Sequence, residues 1–291
     1  MESGDTGELV ERGSFRVDRA RALEKLGRFQ LGDARFGLLF WVRVAVASGA
    51  TCFELDPKMT SFTLRFDGAA LPKGLLDDPY AALFAEDASR REKHFAYALL
   101  WTRRLGGRLS LTSGPVSRRH ELTASGGGPE SVAASQDGGS LTALTVSGLW
   151  RGVFQRPWSP RPRLLEGSLW TGALSVVVAG GRVTPPFLGD AVRALELRGG
   201  VRALMRPAAG ERRSSAAVYV DGVLAGRFEF APRAMPSESV VEFPEAKLDA
   251  SQAQAVRDAA LDALLQELAS HELALLAPAL DSAPAPDSAL A

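Results

Sequence analysis

Residues Gly32–Gly68 read GDARFGLLFWVRVAVASGATCFELDPKMTSFTLRFDG, and the fold turns on how this stretch is divided. Arg35–Ser48 carries Phe36, Leu38, Leu39, Phe40, Trp41, Val42, Val44 and Val46, with Arg35 and Arg43 its only charges. A helix that is apolar nearly all round belongs in an interior, here packed on a sheet. Asp33 fits its N-cap, and Gly49 can close it in the left-handed conformation. Thr51–Leu55 and Ser61–Phe66 then read as strands joined by a turn at Asp56-Pro57. In the second strand Thr63 and Arg65 alternate with Phe62, Leu64 and Phe66, the period of a half-buried strand.

Outward from this stretch, Asp18–Phe29 shows a helix pattern with Ala22, Leu23, Leu26 and Phe29 on one face. Leu75–Phe84 and His94–Arg104 read as helices, and Arg108–Thr112 as a strand. The order helix, helix, strand, strand, helix, helix, strand implies an α/β sandwich with mostly antiparallel pairing. A doubly wound sheet would alternate strand and helix regularly. Ala124–Gly139 is a linker by its Gly and Ser content. Beyond it, Ser140–Leu149, Ala173–Ala179, Ala216–Val220, Gly226–Phe230 and Val240–Phe243 read as strands, with turns at Gly180-Gly181 and Asp221-Gly222. Ser251–Leu276 has the pattern of a long helix. The expected organisation is a tail at 1–14, an α/β sandwich at 15–123, a linker at 124–139, a second α+β domain at 140–276 and a disordered tail at 277–291. The class is α+β.

The 291 residues are 46% hydrophobic with zero formal net charge, which fits two domains with real cores. No run of apolar residues is long enough to span a membrane. The polar, acidic start MESGDTGELVERGSF gives the expectation of no secretory signal, and a cytoplasmic location is the default reading. Cys52 is the only cysteine, so an intrachain disulfide and a cysteine-rich metal site are excluded. His94, His120 and His271 lack zinc-ligand spacing. Balanced charge argues against a general nucleic-acid binder. One local exception is Trp150, Trp158 and Trp170 near Arg151, Arg156, Arg161 and Arg163, a set able to stack on bases or grip a peptide. Packing under a proline-bearing segment is the competing use. The acidic pairs Asp77-Asp78, Glu86-Asp87 and Glu242/Glu245 read as polar loops or helix starts.

The helix ending Ala47-Ser48-Gly49-Ala50, the two strands and Phe66-Asp67-Gly68 together resemble the opening of the GHKL nucleotide-binding domain. That group comprises gyrase, the ninety-kilodalton heat-shock chaperone, histidine kinases and MutL. In the group, this helix bears a catalytic Glu and, one turn on, a Mg²⁺-binding Asn. Aligned on the helix end, those positions are Phe40 and Val44, which cannot do that chemistry. The group's Asp-x-Gly-x-Gly loop falls on Phe66-Asp67-Gly68-Ala69-Ala70. Asp67 is its Asp with Gly68 one place early, or Gly68 is its first glycine with Phe66 replacing the Asp. A vestigial nucleotide contact is therefore assigned to Asp67 and Gly68. The glycine-rich phosphate loop corresponds to Arg90–Leu100, RREKHFAYALL, which has no glycine to reach the conformations such a cradle needs. The second half is similar in order to the ribosomal-protein-like transducer domain of the chaperone and MutL.

The resemblance implies a scaffold or interaction protein with no catalytic residue, cofactor or metal, an unidentified protein partner, and a homodimer as an open expectation. Two further readings stand beside it. One is a nucleotide or small-ligand sensor or a weak ATPase, acting through Asp67. The other is a nucleic-acid accessory protein acting through the Arg/Trp region.

Overall fold

The computed structural model describes residues 22, 23, 25, 37–126, 128–149, 165–184, 192–208 and 210–275. They form an α+β structure with two sheets, as the sequence pattern implies. Helix α1 (Leu38–Ala47) leads into the hairpin β1 (Cys52–Pro57) and β2 (Ser61–Phe66). A short helix α2 (Lys73–Asp77) and a 3-10 turn at Ala81–Leu83 precede helix α3 (Arg90–Arg104). Then come β3 (Arg108–Ser113), β4 (His120–Ser125), β5 (Ser131–Ala134), β6 (Thr142–Ser147), β7 (Ser175–Val178) and β8 (Gly181–Arg182). The spatial order is β5-β4-β3-β6-β2-β1-β7-β8, antiparallel at every pair except β1 with β7.

Period-two alternation in these strands aligns one apolar row across the sheet. Val178, Leu55, Leu64, Leu144, Leu111, Leu122 and Val132 are successive cross-strand partners. Cross-strand pairs of this kind are what stabilise a sheet and fix its register. Helices α1 and α3 share one buried core with that row. Trp41 of α1 packs edge-on against Phe95 of α3 and donates its indole N–H to Thr102 Oγ1 at 2.9 Å. Gly37 lies so close to Trp101 that an added Cβ would fall inside the indole ring.

The second sheet contains β9 (Arg193–Leu197), β10 (Val201–Pro207), β11 (Ser214–Val220), β12 (Val223–Phe230) and β13 (Ser237–Glu242), in the order β12-β11-β13-β10-β9. Only β11 and β13 run parallel. Helix α4 (Ala259–His271) covers one face, with Leu261, Leu264, Leu265 and Leu268 in a core with Met205, Val218 and Val241. No helix among the described residues is long and apolar enough to cross a membrane.

Several sequence expectations change. The stretch 124–139 is not a bare linker, because β5 lies inside it and pairs with β4. Glu130 there accepts hydrogen bonds from Tyr80 and Arg103, which fastens the hairpin to α3. Strand β6, expected to open a second domain, sits between β2 and β3, where Leu144 completes the leucine row and Val146 pairs with Phe62. Strand β7 likewise joins β1. Hydrophobic alternation gives a strand but not its neighbours, so the division between sheets falls later than the Gly/Ser composition suggested.

The long helix expected at 251–276 begins only at Ala259, because the Asp258 side chain caps it by accepting from Leu261 N–H. Residues 251–255 are instead a tight loop folded around Asp249. Leu75–Phe84 is not one helix but the end of α2 and the 3-10 turn at Ala81–Leu83. The turn placed at Gly180-Gly181 is Ala179-Gly180, both at positive φ. The turn at Asp221-Gly222 is as expected, with φ of 48° and 76°. The helix expected at 18–29 and the tails at 1–14 and 277–291 lie wholly or mostly outside the described residues.

Candidate functional site

Phe40 and Val44, the positions assigned to a catalytic Glu and a metal-binding Asn, are buried on α1, with Phe40 also bordering a cleft beside the helix. They are 2% and 0% exposed. Phe40 stacks on Tyr97 at 6.2 Å, and Phe95 is fully buried between the helices. Apolar side chains therefore occupy both positions on α1.

Asp67 has a structural job. Its Oδ1 accepts from Thr51 N–H at 2.7 Å and Cys52 N–H at 2.9 Å, and its Oδ2 accepts from Thr51 Oγ at 2.6 Å. The Thr51 hydroxyl bond, with the two backbone bonds, holds its pKa below the usual carboxylate range. Gly68, at φ 88°, lies so near the end of α1 that a Cβ would stand 2.6 Å from Ser48 O. Ala69 N–H donates to that same oxygen at 2.8 Å. Arg91 of α3 closes the loop from the other side, donating to Ala69 O and Ala70 O. The two residues read as a vestigial nucleotide contact thus tie the end of β2 to the start of β1 and to the end of α1.

Where the phosphate loop was sought, Arg90–Leu100 is regular helix. Ser89 and Glu92 form a reciprocal capping box at its start, which satisfies the amide groups a helix end leaves open. Trp170, the one member of the Trp/Arg group described with its surroundings, packs edge-on against Tyr219 at 5.9 Å. Trp150, Trp158, Arg151, Arg156, Arg161 and Arg163 lie outside the described residues. Burial raises the Cys52 thiol pKa, with Glu54 and Asp67 adding to the effect, so the thiolate is disfavoured. Among the described residues no three His, Cys, Asp or Glu side chains converge as a metal site would need.

The polar constellation the structure does assemble lies between the two sheets. His94 comes from the first turns of α3, and Asp221 from the tight turn between β11 and β12. His94 Nε2 and Asp221 Oδ2 are 2.7 Å apart, both buried. Arg90, one turn before His94, reaches Asp221 Oδ1 at 3.3 Å. Arg43 of α1 is 1% exposed and donates to Gln252 O. Glu242, at the end of β13, accepts from Gly222 N–H at 3.1 Å.

The charges sort themselves by environment. Burial lowers the His94 pKa, and the nearby Arg43 adds to this, so the imidazole is neutral near pH 7. Burial opposes the Asp221 carboxylate, but the His94 hydrogen bond and the cations Arg90 and Arg43 outweigh it and hold its pKa down. An ionised Asp221 only accepts, so His94 donates from Nε2. His94 Nδ1 is then a buried acceptor without a hydrogen-bond partner among the described residues. Glu242 is pushed up to about 7 by burial, with Asp221 contributing. Arg43 falls to about 10 through burial and remains a cation.

Sequence reading found Asp221-Gly222 as a turn and His94 only as a histidine outside any zinc-ligand spacing, without bringing them together. The one available signal was Arg43, which with Arg35 is one of only two charges in an otherwise apolar helix. No protein-family model matches this chain, and no curated protein matches it either.

Proposed function

We propose that this chain is a non-catalytic scaffold or interaction protein of the cytoplasm, built on a degenerate form of the GHKL ATPase-like fold. The observation that carries the reading is the burial of Phe40 and Val44, where activation of an attacking water would need a base. Each fully buried Phe or Val contributes roughly 1.5–3 kcal/mol to the core, so the apolar pair serves stability at positions where an ATPase needs polar groups. Engagement of Asp67 with Thr51 and Cys52 supports the same reading. So does the capped helix that stands in place of a phosphate loop. The fixed junction between the sheets would hold a composite surface for a protein partner.

Calorimetric titration with ATP, with and without Mg²⁺, tests this. The expected result is no binding heat up to millimolar ATP. One-to-one binding at micromolar affinity would overturn the reading in favour of a nucleotide sensor.

A further inference from the structure

Beside the polar junction, the seam between α1 and β12 opens into a cleft of about 450 Å³, within the range of small-molecule sites. Leu39 and Phe40 form one wall, and Val223 and Phe228 form another. The loop 252–255 closes the third side. Among the described residues of the lining, the two guanidinium groups of Arg43 and Arg227 are the only charged side chains, and none is a carboxylate.

These two cations are held differently. Arg43 is almost wholly buried, with its guanidinium 5.9 Å from the centre of the Phe40 ring. One of its N–H groups donates to Gln252 O, while Nε has no hydrogen-bond partner among the described residues. Asp221, Glu242 and Asp249 face Arg43 from the other elements and favour its charge, yet none of them lines the cleft. Arg227 is exposed on β12, and no described acidic side chain lies within ion-pair distance of it.

The walls are set in advance. Asp249 Oδ1 accepts from Ala253 N–H at 3.1 Å and Gln254 N–H at 3.2 Å, and Ala255 N–H donates to Ala225 O at 2.7 Å. Gly226 lets the Phe228 ring fold back across the strand, where a Cβ would stand 2.8 Å from that ring. A site held this way loses little ordering entropy when a ligand enters.

The geometry points to a binding site for a small organic acid, one carboxylate on an apolar body, with the head between Arg43 and Arg227 and the body against Leu39, Phe40, Val223 and Phe228. Guanidinium groups pair well with carboxylates, and the low-polarity wall strengthens that pairing. A ligand without an acceptor would leave the buried Arg43 N–H unpaired, a neutral hydroxyl would pair with it more weakly than a carboxylate, and a cation would be repelled. This site is separate from Asp67 and does not depend on the scaffold reading.

Calorimetry on the full chain with decanoate, decan-1-ol and decyltrimethylammonium, each below its micelle concentration, tests the site. Decanoate should bind one-to-one. Decanol should bind about ten- to hundredfold more weakly, since a hydrogen bond to a charged group is worth about 1.5–3 kcal/mol. Arg227→Glu should weaken decanoate by at least about tenfold, and Ala253→Leu, which fills the cleft, should weaken decanoate and decanol alike. Both variants leave the buried Arg43 in place, and circular dichroism checks that they are folded. Three results would each overturn the site: no decanoate binding to folded protein, equal binding of decanol, or an Arg227→Glu affinity equal to that of the parent.

Discussion

His94 and Asp221, 127 residues apart in sequence, meet at 2.7 Å across the junction between the two sheets. Each is held by a different layer, His94 by α3 and Asp221 by the β11–β12 turn. The pair therefore reports on docking of one layer against the other. Removing the carboxylate leaves the buried Arg43 without the acidic group that most favours its charge and His94 without an acceptor. Asp221→Ala should lose about 1–3 kcal/mol, the cost of leaving a buried hydrogen-bond donor on His94 unsatisfied. Asp221→Asn keeps a residue that tolerates φ of 48° and should lose less. Urea unfolding at pH 7 measures both. If Asp221→Ala stays within about 0.5 kcal/mol of the parent, a surface-like effect, the junction contributes nothing.

Glu242 gives the junction a pH dependence of known sign. Its folded pKa of about 7 lies above its ordinary 4.5, so the native state holds the proton more tightly than the unfolded chain. That contribution is complete below pH 4.5 and is lost as pH rises towards and through 7. Glu242→Gln mimics the protonated side chain. Its stability relative to the parent should therefore grow by roughly 2–3 kcal/mol between pH 4.5 and pH 8. His94, lowered by burial, acts oppositely: its contribution is present above 6.5 and lost as pH falls through its folded pKa. Asp221, also lowered, loses its contribution only as pH falls from 3.8. Both are present in parent and variant, so the difference curve isolates Glu242. A flat difference across that range would show that the carboxyl titrates normally.

The elements near Gly32–Gly68 were legible because they follow local rules. The alternation of Phe62, Leu64 and Phe66 specifies β2, and Asp221-Gly222 specifies a tight turn, without reference to anything distant. What was not legible is set by long-range pairing. Nothing local in Thr142–Ser147 says that it inserts between β2 and β3, since any strand with one apolar face could sit there. Strand β5, SVAA, is too short and too exposed to announce itself. The junction was hidden for the same reason. Arg43, His94, Asp221 and Glu242 come from four elements, and each alone has an ordinary explanation. Asp67 and Gly68 were singled out by the resemblance, and their hydrogen bonds give them a local structural role.

Gly68 should be among the least replaceable loop residues. Its φ of 88° is disfavoured for any L side chain, and a Cβ would stand 2.6 Å from Ser48 O and 2.9 Å from Ala50 N, both backbone atoms. Backbone cannot swing aside as a side chain can. Gly68→Ala should cost about 1–3 kcal/mol. Gly49 has a similar φ of 67° but open space around its Cβ position, so Gly49→Ala should cost less. Thermal unfolding of the two variants side by side separates backbone strain from collision. Equal losses would mean that the stitch between β2 and α1 adds nothing beyond the dihedral angle.

The strongest prediction concerns Phe40 and Val44, because it sets a catalytic reading directly against a structural one. Introducing a polar pair, Phe40→Glu with Val44→Asn, should not create an ATPase. It should instead remove the stack on Tyr97 and place a carboxylate and an amide where the native side chains are 2% and 0% exposed. Loss of a buried Phe alone costs about 3–5 kcal/mol, and burying unpaired polar groups adds to that. Phe40→Leu, which keeps the site apolar, should cost far less and serves as the control. Chemical denaturation gives the stability order, and phosphate release in the presence of Mg²⁺ and ATP gives the activity. A folded double variant with measurable turnover would mean that the apolar pair conceals an otherwise working site. A destabilised, inactive double variant beside a stable Phe40→Leu would tie these two side chains to the core.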